Sequence, residues 1–194
     1  MIKTTNSLLH WNYFLALEKN LESTARFIEF TEQNFSTYSI ELAHLLLASA
    51  SEVDVVLKEL CKLLEPTRSP NNINGYKAII KEKCPELINE RIYINRYGLS
   101  SQPWIKWEGE ENPIWWKNHN NVKHQRNDHF NEAHLHNVIN SIGALLITNF
   151  YYYKAKIEKE KGSVISYKDL TYELNLKSQF VTLDDNYYYS ELVV

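Results

Sequence analysis

Apolar residues recur every three or four positions through three long stretches of the chain. Leu8, Trp11, Phe14, Leu17, Leu21, Ala25 and Ile28 mark a first amphipathic helix over residues 7 to about 30. A polar break at 34–38 follows. Ser39 is then placed to cap a second helix, with Glu41 in its first turn. Leu42, Leu46, Ser49, Val53, Val56, Leu60 and Leu63 lie on one face of that helix, and Pro66 ends it. The third stripe is the clearest. Leu135, Val138, Ile142, Leu145, Asn149, Tyr153 and Ile157 share a face that Ile139 and Leu146 widen, and Gly162 stops the helix after Lys161.

Between the stripes the pattern is shorter. TRSPNNING at 67–75 reads as loop, 76–83 as a short helix ended by Pro85, and 86–112 as an irregular connection with Ile92-Tyr93-Ile94 as a strand. Asn112-Pro113 opens a helix to about Arg126, after which Asn127 or Asp128 is placed to cap the third long helix. Residues 163–194 read as a tail that forms a small hairpin or an extended arm. The expectation is an all-α antiparallel bundle in one domain, 1–162, followed by this tail.

Composition narrows the class. The chain has 194 residues, 44% hydrophobic and 23% charged, with five glycines and five prolines, a balance that favours helices over turn-rich sheets. A net charge of −3 argues against a protein that coats nucleic acid non-specifically. The first residues lack the apolar core of a signal peptide, and the most apolar run, Ala43 to Ala50, is too short for a bilayer. A cytoplasmic protein with no membrane partner is expected. The two cysteines, Cys61 and Cys84, have neither disulfide-framework nor zinc-knuckle spacing.

The chemistry concentrates in one segment. Residues 115–129 hold two tryptophans, three histidines, two lysines and an arginine, and five of the seven histidines (119, 124, 129, 134, 136) lie there or just beyond. If 113–126 is helical, Asn120, Lys123, His124 and Asn127 share a face, with Arg126 on its flank. An imidazole moves protons near neutral pH, and lysine and arginine stabilise phosphate charge. That set suits phosphodiester chemistry without a metal. It is equally compatible with a solvated or ion-paired helix face.

Glu52 stands on the mostly apolar stripe of the second helix and needs a partner there. Lys123, His124 or Arg126 from a facing helix are the candidates. The histidines are spaced by five residues, out of phase for helical metal ligands, so no metal is expected. The chain has no glycine-rich phosphate loop, no GxSxG and no dinucleotide fingerprint, so no cofactor is expected either.

The order of these features resembles a known family. An acidic residue in an apolar helix (Leu45 to Glu52), then Trp115-Trp116, then Asn120-x-Val122-Lys123-His124-x-Arg126, then a long apolar helix, is similar to small bacterial proteins of the HEPN type over about residues 38–157. The resemblance implies a helical bundle, often dimeric, and a metal-independent endoribonuclease of toxin–antitoxin or phage-defence systems. RNA, a second copy of the chain and an antitoxin or other protein are the partners it implies. The family's catalytic signature is an arginine and a polar residue followed, four to six residues on, by a histidine. Arg126-Asn127 matches its first part. The next histidines stand after two residues (His129) and after seven (His134). On this reading His124 or His134 is the general acid/base, Arg126 and Lys123 bind the phosphate, and Asn120, Asn127 and Glu52 hold the geometry. The alternative is a non-catalytic HEPN-like module that binds a protein or a nucleotide.

Overall fold

The computed structural model describes residues 8–173 and 180–189. Its helices start and stop largely where local chemistry places them. Helix α1 covers Leu9–Thr24. It ends sooner than its stripe, because after Thr24 the chain closes three-residue turns (Phe27 N–H to Thr24 O, 2.9 Å) that drop Phe30 into the core. Helix α2 is Ile40–Leu64, and Ser39 Oγ accepts from Leu42 N at 3.1 Å as its cap. Helix α3, Ile73–Lys83, begins a little before the stretch expected, capped by Asn72 Oδ1 on Gly75 N at 3.0 Å.

The irregular 86–112 connection contains α4 (Glu86–Asn89) and an antiparallel pair, β1 (Ile92–Ile94) and β2 (Leu99–Ser101). The register is Ile92↔Ser101, Tyr93↔Ser100 and Ile94↔Leu99, with Gly98 at φ 62° in the turn. The remaining helices are α5 (Ile114–His124), α6 (Arg126–His129), α7 (Leu135–Lys161) and α8 (Tyr167–Glu173). Gly162, at φ 68°, closes α7.

All-α is therefore the class, with neighbouring helices antiparallel, but the most extensive contact in the fold is a parallel one. Both α2 and α7 begin at the same end of the molecule. Leu135 N–H donates to Thr37 O at 2.9 Å there, and further along Ser49 Oγ and Ser141 Oγ lie 2.6 Å apart. Small side chains permit that approach: Ser49, Ala50, Ser141 and Ala144 are all buried. The chain reverses between α1 and α2, so the end of α1 lies beside the start of α2. Likewise α5 runs back along α7, from Trp115 Nε1 on Pro103 O (3.0 Å) to Asn121 Nδ2 on Glu132 Oε2 (2.8 Å).

Two expectations need correction. Neither Asn127 nor Asp128 caps α7; His134 does, its Nδ1 accepting from Asn137 N at 3.3 Å. The chain between, Arg126–Glu132, makes a helical turn and a 3₁₀ turn instead. Nor is the tail a hairpin or free arm among the described residues. Thr182 pairs with Tyr93 on the edge of β1 (2.8 and 2.9 Å), and Leu170, Val181 and Leu183 join the same core as α2 and α7. Glu18, buried on α1, accepts from the N–H groups of Phe180 and Val181 at 3.1 and 2.8 Å. Positions 179 and 190–194 of the expected hairpin lie outside the described residues. Among the described residues no helix is long and apolar enough to cross a membrane.

Candidate functional site

Helix α5 buries Trp115, Trp116, His119 and Val122 and leaves the opposite side polar. The tryptophans continue an aromatic wall: Trp104 lies 4.3 Å from Trp107 and 5.2 Å from Trp115, centroid to centroid. This wall anchors α5, and its last turn carries the basic residues out to solvent.

The helix does not continue to Arg126. Gln125, at φ −138° and ψ 48°, breaks it directly after His124. Lys123 and His124 therefore end one helix, and Arg126 and Asn127 stand on the next turn, so the single shared face expected from the spacing is split. All four are exposed. Among the described residues no side-chain hydrogen bond or ion pair holds Lys123, His124, Arg126 or Asn127. Asn120, half-buried, turns its amide back to donate to Trp116 O at 3.2 Å.

Glu132 organises the ground beneath this cluster. It accepts from Asn121 Nδ2 at 2.8 Å and meets His129 Nδ1 at 2.8 Å, while its backbone carbonyl accepts from Asn137 Nδ2 at 2.7 Å. His134 lies beside it. Its ring is parallel to that of His136 at 6.4 Å, and His136 stacks on Phe35 at 4.7 Å. Burial, and then the neighbouring His136, hold His134 below the usual histidine range; burial does the same to His136.

His119 is the most unusual of the group. It is 4% exposed, and neither ring nitrogen meets a hydrogen-bond partner among the described residues. Burial, reinforced by the charges of Lys123 and His124, pushes its pKa down to about 4.

Glu52 takes no part in this cluster, which corrects the expected partnership with Lys123, His124 or Arg126. Its Oε1 lies 2.6 Å from His10 Nδ1. The His10 ring stands edge-on to Tyr152 at 5.3 Å, and the His10 carbonyl accepts from Asn149 Nδ2 at 3.4 Å. From His134 to Asn149 along α7 is about 22 Å at about 1.5 Å per residue. His10 carries little signal of this role in the sequence. Its only local signal is an imidazole at the edge of the α1 stripe, and the facing residue comes from another helix.

Among the described residues no cluster of three or more His, Cys, Asp or Glu is placed to hold a metal ion. Cys61 and Cys84 are free and buried, and burial pushes the Cys61 thiol up to about 12, out of reach of thiolate chemistry near neutral pH. Compared with known proteins, the chain matches no family model, no curated protein and no solved structure.

One end of the bundle thus gathers Lys123, His124, Arg126, His129 and His134 with the N-termini of both α2 and α7. Three exposed side chains able to carry positive charge suit a bound anion, while the first N–H groups of α7 are already taken by Thr37 O, Phe35 O, the His134 ring and His134 O.

Proposed function

We propose that this chain is a HEPN-like helical protein that binds RNA at its histidine-rich end and cleaves it without a metal. One observation carries the reading: Lys123, His124 and Arg126 are exposed on consecutive turns, with no side-chain partner among the described residues. Side chains left unpaired in the protein are free to pair with phosphate. In the proposed reaction the RNA 2′-oxygen attacks the adjacent phosphorus, a 2′,3′-cyclic phosphate forms and the bond to the 5′-oxygen breaks. His124 takes the 2′-hydroxyl proton and returns it to the 5′-oxygen; His134, whose Nδ1 lone pair accepts from Asn137 N, is the alternative base only when it gives up that cap. Arg126 and Lys123 stabilise the charge on the phosphoryl oxygens. A toxin or phage-defence setting, pairing of two copies and control by an antitoxin or other protein belong to the same proposal.

The test is cleavage of total cellular RNA in EDTA by the wild type, His124→Ala and Arg126→Ala. Loss in both variants, with unchanged circular dichroism, supports the reading. A folded wild type that leaves RNA intact overturns it. One observation favours a non-catalytic RNA-binding module instead: among the described residues no carboxylate or carbonyl orients the His124 ring. That reading predicts salt-sensitive RNA binding, weakened by Lys123→Ala and Arg126→Ala, without cleavage.

A further inference from the structure

A groove of about 550 Å³ opens between the end of α1 and the start of α2. That is the size range of small-ligand clefts. It adjoins the basic end of the bundle through one short segment. Thr37 lines the groove, while its backbone carbonyl accepts from Leu135 N, directly after His134.

The lining has a definite chemistry. Thr24 and Ile28 give an apolar wall, and Phe27, 84% exposed, presents a whole ring to solvent at the edge. A ring at the edge of a groove offers a face on which a planar base can stack. Asn20 contributes an amide. The Ser39 hydroxyl already accepts from Leu42 N, so its O–H remains to donate. Glu41 contributes an exposed carboxylate, with the Nδ1 of the equally exposed His44 3.8 Å away.

These groups select among planar heterocycles. A carboxylate is acceptor-only and pairs best with two adjacent donors. Guanine presents N1–H and the exocyclic N2–H side by side. Adenine and cytosine place a ring-nitrogen acceptor beside their amino group, and uracil flanks its one N–H with two carbonyls. The amide of Asn20 and the hydroxyl of Ser39 supply donors for the guanine O6. We propose that this groove is a guanine-binding site, with Phe27 stacking on the base and Glu41 reading its N1–H and N2–H edge. The base comes from an RNA chain or from a free guanine nucleotide. As part of an RNA the inference rests on the reading above and adds to it a preference for cleavage beside guanosine.

The experiment is calorimetric titration of the full chain with GMP, AMP, CMP and UMP. GMP is expected to bind at least about tenfold more tightly than the others. Glu41→Gln should remove that preference with circular dichroism unchanged, and Phe27→Ala should weaken GMP while leaving the fold intact. Equal binding of all four, no GMP binding at millimolar concentration, or full GMP affinity in both variants overturns the proposal. A guanosine-containing RNA tetranucleotide that binds more tightly than GMP, with the gain lost in Arg126→Ala, supports a guanine carried by RNA; equal affinity for the two supports a free nucleotide. The two proposals fail separately. GMP binding without RNA cleavage counts against the nuclease alone, and RNA cleavage without base preference or GMP binding counts against the guanine site alone.

Discussion

His10 Nδ1 and Glu52 Oε1 meet at 2.6 Å, joining the first turn of α1 to the middle of α2 under the edge of Tyr152. Both side chains are about 15% exposed, so the bond is largely shielded from competing water. Removing one partner leaves the other half-buried and unpaired. Glu52→Ala is expected to cost about 1–3 kcal/mol, and His10→Ala a similar amount. In a double-mutant cycle by urea denaturation the two should couple by at least about 0.5 kcal/mol. Strict additivity would mean that the pair does not hold in solution.

His119 makes stability depend on acid. Its folded pKa of about 4 lies below the ordinary 6.5, so the unfolded chain takes up a proton there first as pH falls. Stability is intact above about pH 6.5, declines between there and about pH 4, and loses at most about 3 kcal/mol from this group. His134 and His136 add smaller slopes of the same sign, since both are held below the usual range. His119→Leu should flatten the curve and leave stability at pH 7 equal or higher, because two unpaired buried nitrogens disappear. Urea midpoints across this pH range, wild type against variant, decide it. Parallel curves would count against a buried, neutral His119.

Gly143 is a close-approach position in the middle of α7. A methyl group there would stand 2.7 Å from Ile92 Cγ1 and 3.2 Å from Pro103 Cγ. Alanine favours a helix over glycine by about 1 kcal/mol, but overpacking of this kind costs about 1–3 kcal/mol. Gly143→Ala is therefore expected to lower the melting temperature. Ile92→Ala in the same chain should recover part of the loss relative to the sum of the single effects. A melting temperature raised by Gly143→Ala alone would show that the β1 connection yields easily.

Glu18 holds the C-terminal segment to α1 through Phe180 N–H and Val181 N–H. Glu18→Ala removes the carboxylate acceptor of two buried N–H groups and is expected to cost about 2–3 kcal/mol. The local readout is amide hydrogen exchange, with protection at Phe180 and Val181 falling further than the global stability change accounts for. Loss in step with global unfolding would mean that the segment is held mainly by its buried Val181 and Leu183.

Local physics determined much of this protein in advance. The stripes of α2 and α7, the Ser39 cap and the Gly162 stop are legible because periodicity and capping act within a few residues. The basic cluster was legible for the same reason: its residues are neighbours in the chain. What the tertiary structure alone decided is pairing. Ser49 and Ser141 look like minor polar breaks in two apolar stripes until the parallel α2–α7 contact brings their hydroxyls together. Glu52 needs a partner on any reading, but no spacing rule ranks His10, 42 positions away, above the basic residues of α5. Gln125 carries no proline or glycine signal for the break between His124 and Arg126. His134 caps α7 because segment 35–38 pins the chain just ahead of it, through Thr37 and Leu135. The tail likewise gained its place only where β1 offered an open edge and α1 a buried carboxylate. Helices are written in local order; which faces meet depends on shape and on polar groups that must find partners across the whole chain.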